Sequence, residues 1–279
     1  MPTSTTPLIL YHADCDDGFG AAYAAWLSLG DSAEYRPVYH DDVVPVASVA
    51  GRPVFILDFS FAPAVIHDMA QHATQINLLD HHISAAKQWA DATPKSNIEV
   101  VFDMDRSGAQ MAWDHFHPGR ARPALIEHIA DRDLWRFALP DTKAFCAGLS
   151  LQPRSFASWR TVADDPAKML ATGNIVLDVL QQQIDSALRK ELRTVTLCGH
   201  QGLAANVIGN TSEVGHAIAQ RSGTFSLTFF IKGDGVICSL RSLPPFDVSV
   251  IASHYGGGGH AQAAGFRIPI PQFFAEIWR

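Results

Sequence analysis

The chain has 279 residues, 47% of them hydrophobic and 18% charged, which is apolar material enough for a real core and excludes wholesale disorder. Lys and Arg number 21 against 28 Asp and Glu, a formal net charge of -7. A protein that grips long duplex nucleic acid would carry a basic surplus instead, so that partner is excluded from the expectation.

The first half alternates short apolar runs with helical patterns. Residues 8–11 read as a strand and 18–29 as an Ala-rich helix; 54–57 is a second buried strand, followed by a helical run over 62–72. Residues 76–79 and 100–102 give two further strands, the last leading into a helix over 108–116. Strands apolar on both faces, separated by helices, predict a parallel sheet covered by helices. From about residue 164 to 194, Ile175, Leu177, Leu180, Ile184 and Leu188 recur at helical spacing, which predicts one long amphipathic connector helix. Short strand-like runs follow, interrupted by two helical segments near 212–221 and 248–254. The expected division is thus 1–163, a linker helix over 164–194, and a smaller mixed α/β domain over 195–279.

No window approaches the ~18 uninterrupted apolar residues of a membrane span. The N-terminal MPTSTTPLIL has no basic region of the signal-peptide kind. Four scattered cysteines without a C-x-x-C pair suit a reducing interior. The expectation is a soluble, cytoplasmic protein with no membrane partner. A homodimer is compatible with the sequence, although no exposed heptad seam demonstrates one.

Several acids sit in strongly apolar strings, where a carboxylate is costly unless something neutralises it. In YHADCDDG, His12, Asp14 and Asp16 alternate at period two, so an extended chain places all three on one face. The same alternation turns Cys15 to the opposite face and into the core. In VFILDFS, Asp58 ends a buried strand; in INLLDHH, Asp80, His81 and His82 end another; in HIADRDLW, Asp131 and Asp133 close a helical stretch. A single Asp after a strand is usually a helix cap. Three strand ends that deliver Asp and His to the ligand-binding rim of an open α/β sheet are poorly explained that way. Clustered carboxylates repel unless cations neutralise them, and mixed imidazole and carboxylate donors suit Mn²⁺, Fe²⁺ or Zn²⁺, the oxygen majority favouring Mn²⁺. The ligand number points to two ions, an arrangement that hydrolyses phosphate esters without a Ser or Cys nucleophile.

Downstream, Arg241 in ICSLRS precedes the run Gly256, Gly257, Gly258, Gly259 and then His260 in GGGGHAQAAGF. Glycines let backbone N–H groups approach an anion, and Arg offers phosphate a bidentate fork, so this segment reads as a phosphate- or nucleotide-holding surface.

These motifs in this order, HADCDDG, LDF, LDHH and ADRD with SLRS and GGGGHAQAAG behind them, resemble the DHH phosphoesterase superfamily over nearly the whole chain. The resemblance implies an N-terminal DHH domain, a linker helix and a DHH-associated domain. It implies His12 and Asp14 on a first ion, Asp16, His81 and Asp131 on a second, and Asp58 bridging both. Asp133 stands as an alternative to Asp131. His82 would meet the scissile phosphate, Asp80 would orient the histidines, and Arg241, His260 and the glycines would grip the substrate in a cleft between domains. The expected activity is a two-metal phosphodiesterase, with Mn²⁺ as the cofactor, releasing nucleoside 5′-monophosphates from short oligonucleotides or dinucleotides. Alternatives are a phosphomonoesterase acting on 3′-phosphoadenosine 5′-phosphate-type nucleotides and a cyclic-dinucleotide phosphodiesterase. A non-catalytic nucleotide sensor would be expected to lack a ligand, and every motif position is filled.

Overall fold

A computed structural model describes residues 6–39, 42–190 and 192–279. His40 and the first five residues of the N-terminal segment lie outside them. The chain forms two compact units, Met1–Leu177 and Asp178–Arg279, which divide within a 23-residue helix.

Elements of the first unit are β1 (Leu8–His12), α1 (Asp16–Leu29), β2 (Glu34–Val38), α2 (Val46–Val49), β3 (Pro53–Leu57), α3 (Pro63–Met69) and β4 (Gln75–Asp80). They continue as α4 (Ile83–Trp89), β5 (Ile98–Phe102), α5 (Gly108–Phe116), α6 (Ala124–Asp133), α7 (Thr142–Leu149) and α8 (Phe156–Asp164), and α9 (Ala167–Arg189) crosses the division. The five strands pair in parallel in the order β2-β1-β3-β4-β5. Leu8, Ile9, Leu10, Ile56, Leu57, Ile76 and Leu78 are buried, as strands covered on both faces require.

The chain leaves β1 for β2 on one side, while β3 and β4 add on the other, so the order reverses beside β1. At such a switch point the loops diverge and leave a crevice beyond the carboxyl ends of the strands. Those ends are where His12, Asp58 and the pair Asp80–His81 emerge, from three strands that are neighbours.

The second unit holds β6 (Arg193–Leu197), β7 (His200–Asn206), α10 (Thr211–Ser222), β8 (Phe225–Lys232), β9 (Gly235–Ser242), α11 (Ser249–His254), β10 (Gly258–His260), β11 (Ala263–Pro269) and α12 (Ile270–Glu276). Its six strands form a mixed sheet in the order β10-β11-β9-β8-β7-β6, in which only β7 and β8 pair in parallel. Phe225, Leu227, Val236, Leu240, Ile251 and Phe273 centre its separate core. The expected fold class, a parallel-sheet α/β unit followed by a mixed α/β unit, is the one observed. No helix among the described residues is long and apolar enough to cross a membrane.

Candidate metal centre

Strand β1 stops at His12, and the period-two alternation stops with it. Asp14 adopts φ +57°, and Cys15 is already the N-cap of α1, accepting a hydrogen bond from Gly18 N at 3.1 Å. One left-handed residue therefore turns the chain before the helix begins. Asp14 faces outward, where its Oδ2 accepts a 2.8 Å hydrogen bond from the Tyr39 hydroxyl. Asp16 accepts from Arg154 Nη2 at 2.9 Å. The residues turned inward are Cys15 and Asp17. The expectation that His12, Asp14 and Asp16 share a face, with Cys15 opposite, is thereby corrected. Gly18 makes the turn feasible, since a Cβ there would collide with the His12 carbonyl oxygen and lie 2.8 Å from His12 Cβ.

Asp58 follows β3 at φ +64° and is 1% exposed. Its two oxygens serve two different groups. Oδ2 lies 3.5 Å from His12 Nδ1 and accepts from Cys15 Sγ at 3.3 Å. Oδ1 lies 3.0 Å from His81 Nε2. That same His81 nitrogen is 3.5 Å from Asp17 Oδ2 and 3.6 Å from Asp133 Oδ2. Asp17 is fixed from behind, because Gly108 N donates to its Oδ2 at 2.6 Å and Ala109 N to its Oδ1 at 3.0 Å, at the start of α5. A carboxylate is well placed there, against the positive end of the helix and its unpaired N–H groups.

Of the two acids closing α6, the structure brings Asp133 to the cluster and not Asp131. Asp131 Oδ1 accepts from Ala138 N at 2.8 Å, and its Oδ2 accepts from Leu139 N at 3.0 Å and the Thr142 hydroxyl at 2.6 Å. Those bonds commit it to the turn before α7. Successive helical residues are rotated by about 100°, so two residues spaced by one point apart and only one of them can face His81.

Asp80 is fully buried at the end of β4. Its Oδ1 accepts from the backbone N–H of His81 at 2.7 Å and of His82 at 3.2 Å, and lies 2.7 Å from His82 Nδ1. A carboxylate only accepts, which assigns the proton to His82 Nδ1 and leaves Nε2 on the far side of the ring. Asp80 Oδ2 is buried with no hydrogen-bond partner among the described residues.

The electrostatics are those of a site with more negative charge than it can hold. Burial, reinforced by the charges of Asp58 and Asp133, pushes Asp17 well above the carboxylate range. Desolvation by the surrounding cluster and the Asp58 charge also raise Asp133, although its side chain is 30% exposed. Asp58 goes the other way: burial opposes it, but hydrogen bonds from His12 and His81 hold it well below the usual range. For His81, burial acts to lower the pKa, yet the hydrogen bond and charge of Asp58, with Asp133 and Asp17, lift it to about 10. His82 is raised as well, the charge of Asp80 outweighing burial. The Cys15 thiol is pushed well up by burial and by Asp58, and so donates to Asp58 as a neutral group.

A divalent cation fits this donor set. Without one, carboxylates at 3.5 and 3.6 Å from a single imidazole nitrogen must share its one positive charge. Within the first unit, imidazole, carboxylate and thiol atoms also gather within 4.8 Å of one another in the trios His12–Cys15–Asp58, Asp17–His81–Asp133 and Asp58–Asp80–His82, the first two sharing no residue. Cys15, Asp17 and Asp133 join the expected His12, Asp58 and His81, while Asp14, Asp16 and Asp131 stand outside.

In the second unit the glycine run is not a loop. Gly257 N donates to Ala252 O at 2.8 Å, ending α11, and Gly258 and Gly259 form the edge strand β10 against Gly265 and Ala264. A Cβ on Gly257 would collide with the Gly265 carbonyl oxygen, so close strand packing already demands glycine there. Ala263 on β11 pairs with Arg241 on β9 and with His260 on β10, which sets Arg241 and His260 in one row on one face of the sheet. Arg241 donates from Nη2 to the Ser212 hydroxyl at 2.6 Å, across the start of α10.

Residues 193–279 match the model of the DHHA1 domain. The chain is 28% identical over 283 residues to an uncharacterized protein, R106, of Acanthamoeba polyphaga mimivirus; the match covers 92% of this chain and 66% of that one, so the chain spans just under two thirds of its relative. Among solved structures, RecJ from Thermus thermophilus in complex with Mn²⁺ superposes with a TM-score of 0.53 at 16% identity, over 98% of this chain and 51% of RecJ. An exopolyphosphatase-related protein from Bacteroides fragilis gives 0.51 at 11% identity, over 94% and 86% of the two chains. These two likenesses are of fold.

Proposed function

We propose, from the motifs this sequence shares with the DHH phosphoesterase superfamily and from the DHHA1-domain match over residues 193–279, that the chain is a metal-dependent phosphodiesterase which cleaves short oligonucleotides or dinucleotides to nucleoside 5′-monophosphates. The observation that carries this reading is the division of Asp58, one oxygen toward His12 and Cys15 and the other toward His81, with Asp17 and Asp133 beyond. A carboxylate so placed is suited to bridge two ions. The RecJ relative in complex with Mn²⁺ supports manganese as one occupant.

Two divalent ions, when bound, lower the pKa of a nucleophilic water and offset charge on the phosphoryl oxygens. The chain's residues do the rest. Asp58 and His81 hold the two positions together, and Asp17 keeps its group fixed against α5. Asp80 orients His82 and favours its imidazolium form, in which Nε2 also carries a proton and donates toward the phosphate or the leaving oxygen. Arg241 and His260, on one sheet face beside the glycine edge strand, hold the substrate's phosphate or terminal nucleotide. The acidic charge balance favours a small substrate, since a long polyanion would call for a basic groove.

The test is a Mn²⁺-dependent assay over di- to pentanucleotides, cyclic dinucleotides and 3′-phosphoadenosine 5′-phosphate. Release of nucleoside monophosphates from the short linear diesters is expected. Preference for the bisphosphate over every diester would overturn the reading, as would near-normal turnover by folded Asp58→Ala.

A further inference from the structure

The two groups on either side of Asp58 are chemically unlike. Toward His81 the donors are one imidazole and carboxylate oxygens from Asp17 and Asp133. Toward His12 they are one imidazole, one carboxylate oxygen and the sulfur of Cys15. Cys15 is held in this position by more than proximity, because it is the N-cap of α1 and its sulfur takes the Gly18 N–H. The helix thus aims the sulfur at Asp58 Oδ2, the atom that also faces His12 Nδ1. Cys146 and Cys238, by contrast, are buried in the two cores, and Cys198 is an exposed turn residue remote in sequence from all of these donors.

We propose that Cys15 is a metal ligand, and that it makes the His12 side of the centre a thiophilic position, selective for Zn²⁺, Co²⁺ or Fe²⁺, beside a harder position at His81 suited to Mn²⁺ or Mg²⁺. The inference rests on the two-ion reading above and deepens it. Soft thiolate selects Zn, Co and Fe, whereas carboxylate-rich surroundings suit Mn and Mg. Binding replaces the Sγ–H bond by an Sγ–metal bond: the proton leaves to solvent, the sulfur keeps the electron pair it shares with the ion, and nothing is oxidised or reduced. Three protein donors of type N, O and S leave further positions for water or substrate, as catalytic rather than structural sites do.

The test is optical titration of the metal-free full chain with Co²⁺, read in two windows. The visible bands report an ion in a protein site, and the near-ultraviolet thiolate-to-cobalt band reports sulfur ligation alone. Cys15→Ser preserves a good N-cap and so keeps α1 intact. The expected result is both signals in the unaltered chain and in Cys198→Ser, with loss of the near-ultraviolet band in Cys15→Ser. One of two Co²⁺ equivalents should also weaken by more than about tenfold, since even partners one shell further out cost that much. Mn²⁺ affinity at the other position should be unchanged. Visible bands with no near-ultraviolet band, or a band that survives Cys15→Ser, would overturn the thiolate ligand and leave the two-ion reading standing. Absence of visible bands altogether would remove both.

Discussion

Gly108 lies so close to Asp58 that a Cβ added to it would collide with Asp58 Cβ and sit 2.6 Å from Oδ1, the oxygen that faces His81. The same glycine donates its N–H to Asp17. One residue without a side chain therefore sets the distance between the start of α5 and both carboxylates. Gly108→Ala is expected to cost about 1–3 kcal/mol as overpacking and to displace Asp58 from His81. Denaturant melts would show the first effect. A loss of Mn²⁺ affinity larger than the loss of stability explains would show the second.

Asp131 and Asp133 are expected to separate in function. Asp131→Asn places an amide donor where Ala138 N, Leu139 N and the Thr142 hydroxyl already donate, so stability should fall by about 1–3 kcal/mol while metal binding persists. Asp133→Asn should leave the melting temperature of the metal-free chain equal or higher, because it relieves repulsion with Asp58 and Asp17. Its Mn²⁺ affinity should drop by about tenfold or more. Equal metal affinity in the two variants would refute the assignment of Asp133.

The His81 pKa, raised from 6.5 to about 10, fixes a pH dependence for the metal-free protein. A group whose folded-state pKa is raised stabilises fully below its unfolded value and loses that contribution as pH climbs through the folded value. The metal-free chain should accordingly hold its melting temperature near neutrality and lose it toward pH 10. An ion at His81 needs the neutral imidazole, so loading at pH 7–8 should expel this proton. Calorimetry in buffers of different ionisation enthalpy measures the release, and a metal-binding heat independent of buffer would contradict it.

In the second unit, Gly257→Val should disrupt the pairing of β10 with β11, since its side chain would meet Gly265 O and Phe266 Cβ, the latter at 2.7 Å from the first added carbon. Substrate affinity should fall with little change in Mn²⁺ affinity. Parallel titrations of metal and of a short diester separate the two.

The central strands β1, β3 and β4 were legible because they are covered on both faces and read as largely apolar runs. The strand β2 was not, because EYRPV is polar and holds Pro37, a composition suited to the sheet edge it occupies. β10 was hidden by the glycine run, which reads as a loop until its close approach to Gly265 is known. At the centre, the residue types and the strand ends were visible, but the choice among neighbouring acids was not. Period two holds only while the chain is extended, and one left-handed residue at Asp14 shifted the inward set to Cys15 and Asp17. Gly18 directly after Asp17 was the available signal for that turn. For Asp131 and Asp133, the sequence shows two acids on one helix, and only the rotation of α6 chooses between them.

The hydrogen bond from Gly108 N to Asp17 joins residues 91 positions apart, and His12 and Asp133, at opposite reaches of the same cluster, lie further apart still. Contacts of such sequence separation form late, after the loop-closure cost between them has been met by other interactions. Sheet assembly around carboxylates that repel one another is therefore expected to precede ion binding. Metal capture is expected to follow the packing of α1 against α5, because Asp17 is fixed only once Gly108 N and Ala109 N meet it.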